Sequence, residues 1–136
     1  MAVRIDIAYE GDLQCTATHG PSGDRLQTDA PVDNQGRGMH FSPTDLVATG
    51  AGACMLTVMG IAARRESIDM QGARVSVEKH MSTGIRRFIA KLVIRVQLPA
   101  SLAPEQRDLL ERTGRSCPVL SSLGTDTTID LLFEYV

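Results

Sequence analysis

The sequence contains no block of basic residues and no block of acidic ones. Fourteen Lys and Arg stand against sixteen Asp and Glu, a formal charge of −2 with the two signs interspersed. That pattern argues against a nucleic-acid or an anionic-membrane partner and leaves a small molecule or another protein chain. Cysteines are few, and none form a CxxC pair: Cys15, Cys54 and Cys117 lie far apart. That spacing argues against a zinc knuckle and against a secreted disulfide framework. A signal-peptide core is also missing, because "MAVRIDIAYEGD" turns acidic before an apolar run of sufficient length develops. The cytoplasm is therefore the expected compartment. Internal repeats and low-complexity segments are absent as well.

What the 136 residues do have is a hydrophobic content of 43%, which suits one compact domain over residues 1–136. "AVRIDIAY" (2–9) and "LQCTATH" (13–19) alternate in character around a turn-like "EGD", which predicts an opening hairpin. "RLQTDA" follows as a third short strand, and "PVDNQGRGMH" reads as an irregular loop. "FSPTDL" is a helix start, with Ser42 as N-cap, Pro43 at the first position and Asp45 three residues after the cap. The predicted helix runs from about Pro43 to about Glu66.

From Leu46 to Ala63 this helix carries eighteen uncharged residues, the length at which a membrane span must be considered. Its glycines, alanines and two threonines make it only weakly hydrophobic, so the expectation is a buried central helix. Gly50, Gly52 and Gly60 each cost roughly 1 kcal/mol relative to alanine, which suggests close packing against another backbone. Beyond it, "ARVSVEKHM" (73–81) and "RRFIAKLVIRVQL" (86–98) predict a second hairpin across "STG". An amphipathic helix is expected over 103–115, then a short helical turn at "SCPVLSSLG" and a closing strand at "TTIDLLFEYV". The order predicts an α+β fold with a largely antiparallel sheet.

Cys54 sits about three turns into its helix, beyond the reach of the helix dipole, and by its own surroundings reads as a small buried hydrophobe. A reactive role requires a cation or donors from elsewhere in the fold. Cys117 precedes Pro118 and so falls at a helical N-cap, with Arg115 close in sequence; locally it is the better candidate for an acidic thiol, and a purely structural cap is the equal alternative. Cys15 reads as a strand residue. His19, His40 and His80 are isolated, and Arg25 and Arg37 lie in the region preceding the long helix, where a cation could fold over a thiol. Asp45 reads as a cap. Met55, Leu56 and Met59 beside Cys54 could line an apolar pocket or simply fill core.

Two cysteine contexts, "SPTDLVATGAGAC" and "SCPVLSSL", together with the order of elements, resemble the OsmC/Ohr family of osmotically inducible and organic-hydroperoxide-resistance proteins. The resemblance implies an OsmC-like fold in an intertwined homodimer, with the long helices buried at its centre. It also implies that Cys54 is the peroxide-attacking thiol and Cys117 the resolving one, in a thiol-dependent peroxidase of organic hydroperoxides recycled by a small or protein-borne dithiol. No metal, flavin or nucleotide is implied. Typical peroxidase members carry a glutamate after the helix-starting proline, and here that position is Thr44. The family arginine is matched most nearly by Arg25, with His19 and Arg37 as alternatives. A binding module without turnover and a cysteine acyl transferase or hydrolase are the rival readings.

Overall fold

The computed structural model describes residues Met1 to Val136 and divides into two compact units, Met1–Leu46 and Val47–Val136. In the first, strands β1 (Ile5–Gly11), β2 (Gln14–His19) and β3 (Arg25–Asp29) form an antiparallel sheet in that order. The β1–β2 turn passes through Gly11, Asp12 and Leu13, all at positive φ, so the chain reverses within two residues. The registers Ile7↔Ala17↔Leu26 and Tyr9↔Cys15↔Thr28 place Ile5, Ile7, Tyr9 and Leu26 on one face of the sheet, and all four are exposed.

After β3 the chain makes a 3-10 turn at Val32–Asn34 and a tight loop closed on Pro31 and Ala30. Gly36 is obligatory there, because a Cβ would lie 1.7 Å from the carbonyl oxygen of Ala30. The loop ends at the capping box that the sequence predicts. Ser42 Oγ accepts from Asp45 N–H at 3.1 Å, and Asp45 Oδ2 accepts from Ser42 N–H at 2.9 Å.

Helix α1 spans Pro43–Arg65. By length and composition it could cross a membrane, yet a stripe of Ala48, Ala51, Gly52, Met55, Met59 and Ala63 is buried inside protein. In the second unit Gly52 lies on strand β4 (Arg74–Met81), where an added Cβ would be 2.9 Å from Val77 Cγ2. Gly50 and Gly60 face open space instead, so only one of the three glycines marks a close approach within the chain. The opposite stripe, with Val47, Ala53, Thr57 and Ile61, is uncovered. The helix is thus half-buried in the single chain, where the sequence predicts burial all round.

The chain forms two three-stranded sheets, largely antiparallel as expected, with one parallel pairing in the second. β4 pairs antiparallel with β5 (Ile89–Leu98), but β5 pairs parallel with β6 (Thr128–Tyr135). The cause is the connection: helices α2 (Pro104–Arg115) and α3 (Pro118–Ser122) form a crossover that returns the chain in the same direction. The core lies under β5, where Leu92, Ile94, Val96 and Leu98 meet Met55, Met59, Leu102, Leu110 and Cys117. Arg86–Phe88, read from sequence as strand, belong to the β4–β5 loop instead, because Ser82 closes it through Arg86 O and Phe88 N–H.

Two aromatic residues of β6 fasten α2. The Tyr135 hydroxyl donates to Glu111, and the Arg107 guanidinium lies 4.1 Å from the Tyr135 ring while donating to Leu102 O and Ala100 O. Arg115 lies over Phe133 at 5.2 Å. Burial, and then the Glu111 carboxylate, hold the Tyr135 hydroxyl well above the ordinary phenol range. α2 meets α1 at Gly114, where a Cβ would stand 2.9 Å from Met59 Sδ.

Candidate functional site: a thiol pair between two helices

Cys54 lies in the middle of α1 and is half-buried, while Cys117 has no exposure at all. Pro118 starts α3 and leaves Cys117 in extended conformation as its N-cap, as the sequence predicts. Its sulfur accepts from Leu120 N–H at 3.4 Å. The structure makes the Cys54 and Cys117 thiols neighbours that act on one another electrostatically, although they are 63 positions apart in the chain, and both are free thiols.

The acidity expected of Cys117 from its cap position is not what the site produces. Burial pushes its thiol up, and the neighbouring Cys54 thiol pushes in the same direction; the Leu120 and Val119 N–H groups offset this only in part. Arg115 is occupied elsewhere, over Phe133 and against Glu111 at 4.0 Å. Of the two, Cys54 is the half-buried residue and Cys117 the fully buried one, whose thiol burial keeps protonated.

Met55 and Met59 are fully buried core residues and line no pocket. A groove of about 300 Å³ is bounded on α1 by Val58, Ile61, Ala62 and Arg65 and on α2 by Leu109 and Thr113. Val58 is one turn beyond Cys54 on α1, and Thr113 lies on α2 four residues before Cys117 in sequence.

The other residues singled out in the sequence occupy the first unit or the far side of the second sheet. Arg25 opens β3, exposed, and lines a shallow groove with Asp6, Ala8, Glu10, Thr16 and Thr18. Arg37 pairs with Asp12 at 3.6 Å. His19 shares a hydrogen bond with Ser22 at 2.6 Å, and His80 lies 3.9 Å from Glu78. Thr44 Oγ1 is 3.3 Å from Ser42 Oγ, within the helix cap. Cys15 is a strand residue, as read. The chain gathers no group of three His, Cys, Asp or Glu side chains able to hold a metal.

Asp29, which sequence reasoning passes over, is the buried charge of the first unit. Its Oδ2 accepts from Met39 N–H at 3.0 Å and from the Gln14 amide at 3.3 Å, and Oδ1 has no partner. The Met39 N–H foremost, helped by Gln14, Ala30 N–H and His40, holds the carboxyl below its usual range against the opposing effect of burial. An acidic residue at the end of a strand, just before "APVDNQG", gives no signal of burial by itself.

A mixed sheet covered by a long helix, with one cysteine on that helix and a neighbouring one capping a short helix, defines a small α+β protein with a thiol pair. The chain belongs to the OsmC-like protein family, whose profile matches residues 36–132. It is similar to a solved protein of Psychrobacter arcticus, assigned to osmotic-stress induction and the detoxification response, with 37% identity, a TM-score of 0.90 and coverage of 96% of this chain and 94% of that one. An organic hydroperoxide resistance protein OsmC of Legionella pneumophila shares the fold at 15% identity and TM-score 0.78, covering 98% and 97% of the two chains. Another from Elizabethkingia anophelis, with thiocyanate bound, does so at 14% identity and TM-score 0.79, covering 100% and 97%. No functionally curated protein matches the sequence.

Proposed function

We propose that the chain is a thiol-dependent peroxidase of organic hydroperoxides, acting as a homodimer in the cytoplasm. The observation that carries this reading is the proximity of a half-buried cysteine, Cys54, and a fully buried one, Cys117. Two solved proteins of the same fold are organic hydroperoxide resistance proteins, which supports the assignment of the reaction. In the first step the Cys54 thiolate attacks the distal peroxide oxygen. An S–O bond forms, the O–O bond breaks, and the alkoxide takes a proton to leave as an alcohol. In the second step Cys117, as thiolate, attacks the sulfenic sulfur; the S–S bond forms, and hydroxide leaves as water after taking a proton. A dithiol reductant then returns both thiols. The apolar groove of Val58, Ile61, Ala62 and Leu109 offers room for the organic part of the substrate.

Arg25 is proposed as the cation that favours the Cys54 thiolate. The rival that Thr44 favours is a binding module without turnover, since a hydroxyl tied to the helix cap cannot hold an arginine as a carboxylate does.

One experiment separates these readings. One equivalent of cumene hydroperoxide added to the reduced protein is expected to give a Cys54–Cys117 disulfide with Cys15 left free, read by peptide mapping and mass spectrometry. Cys117→Ser should stop at sulfenic acid on Cys54 and over-oxidise with excess peroxide, and Cys54→Ser should scarcely react. Arg25→Ala should slow the first step only. A bridge that includes Cys15, or unreacted thiols, would leave the binding module in front.

A further inference from the structure

Cys117 is the joint between two helices. Its N–H donates to Gly114 O at 3.3 Å, and its carbonyl accepts from Ser121 N–H at 3.0 Å, so the cap of α3 is bonded directly onto the last turn of α2. That turn in turn rests on α1: a Cβ added at Gly114 would stand 2.9 Å from Met59 Sδ and 3.3 Å from Met55 Cε, and Met55 directly follows Cys54. Wherever the end of α2 moves, Cys117 must follow.

The end of α2 is held by one row of side chains. Arg107, Glu111 and Arg115 recur every four residues and share a face of α2, while Phe133 and Tyr135, two residues apart, share the core-facing side of β6. The rows engage in order: Arg107 lies over the Tyr135 ring, the Tyr135 hydroxyl donates to Glu111 Oε2, Glu111 Oε1 is 4.0 Å from Arg115, and Arg115 lies over the Phe133 ring. The Tyr135–Glu111 link has a carboxylate acceptor and is partly buried, which makes it the strongest member of the row. The Glu111–Arg115 pair is long and its guanidinium exposed, so it adds little.

We propose that Tyr135 and Glu111 are positioning residues for Cys117: their hydrogen bond clamps the last turn of α2 onto β6 and keeps Cys117 where it can resolve an oxidised Cys54. The role in resolution rests on the peroxidase reading, and the clamp on the contacts alone. None of the five clamp residues lies on α1, so the attack of Cys54 on the peroxide does not depend on the clamp, whereas the second step does.

Tyr135→Phe isolates the link, because it removes the hydroxyl and keeps the ring under Arg107. In a Cys15→Ser, Cys54→Ser background Cys117 is the one thiol, and its alkylation by iodoacetamide is followed at urea concentrations below the unfolding transition. Cys117 is fully buried and reacts only when its site opens. Tyr135→Phe should raise the rate about tenfold with little dependence on urea, as a local opening does. Glu111→Ala should match it, Glu111→Gln, which keeps an acceptor, should stay near the unclamped-free rate of the parent protein, and the double variant Tyr135→Phe with Glu111→Ala should be no faster than either single one. No rise, a rise with the full urea slope of global unfolding, or effects that multiply in the double variant would overturn the proposal.

The second measurement restores Cys54. One equivalent of cumene hydroperoxide is added and the Cys54 sulfenic acid is trapped with dimedone at intervals. Tyr135→Phe should form it at the parent rate and convert it to the Cys54–Cys117 disulfide several-fold more slowly; unchanged conversion would overturn the role in resolution. A protein that never forms sulfenic acid but shows the alkylation pattern loses the peroxidase reading and keeps the clamp.

Discussion

At Asp29 a carboxylate without solvent exposure depends on the N–H groups of Met39, Gln14 and Ala30, and the loop that leads to the α1 cap depends on it in turn. A carboxyl held below its ordinary value stabilises the folded state above that value, and the contribution disappears as pH falls through the folded one. Wild-type thermal stability should therefore drop as pH falls below 3.8, the value of the unperturbed group. Asp29→Asn should be less stable at neutral pH and lose that acid sensitivity, because its amide cannot gain a proton there. Melting temperatures from pH 2 to pH 7 check both statements; parallel curves would show that Asp29 is not the titrating group. Neither Asp29 nor the high thiol value of Cys117 can be seen in sequence. The cap at Cys117 is legible because Pro118 is its neighbour, but burial by β5 and α1 is a property of the assembled core, and it reverses the local effect on acidity.

Elements were legible where their signals are local. Ser42, Pro43 and Asp45 specify the start of α1 within four residues, and the capping box forms as read. The parallel pairing of β5 with β6 is not legible, since nothing in either strand records the crossover between them. Glycines share the ambiguity: Gly50, Gly52 and Gly60 look alike in sequence, yet only Gly52 has a strand against it. This gives a graded prediction. Gly52→Ala should cost about 1–3 kcal/mol, because the branched Val77 and Val75 side chains are stiff and leave its Cβ no room. Gly114→Ala meets the flexible tips of Met59 and Met55, so overpacking and the gain in helix propensity should nearly cancel, to within about 1 kcal/mol. Urea denaturation of the two variants measures the difference; equal costs would mean that backbone freedom, not neighbour stiffness, decides.

For the molecule as a whole, two apolar surfaces stand uncovered in one chain: Ile5, Ile7, Tyr9 and Leu26 on the first sheet, and Ile61 with Val47 on α1. A second copy is the proposed cover, as uncovered surfaces of this kind mark association sites. Light scattering at micromolar concentration should give twice 14.7 kDa. Ile7→Glu and Ile61→Glu should each release folded monomer, because both side chains are already exposed in the single chain and their loss leaves its core intact. A wild type that scatters as a monomer would remove the dimer and require another cover.

The parallel pairing of β5 and β6 also constrains the order in which the chain assembles. β4 and β5 are joined by a short loop and can zip together as soon as both exist, whereas β6 must wait until α2 and α3 have bridged the sheet. Cys117 rides on that late bridge, so the two sulfurs are strangers during synthesis and become neighbours only when the last strand has docked. In a nascent chain Cys54 has no Cys117 beside it, and the thiol pair exists only once the fold is complete.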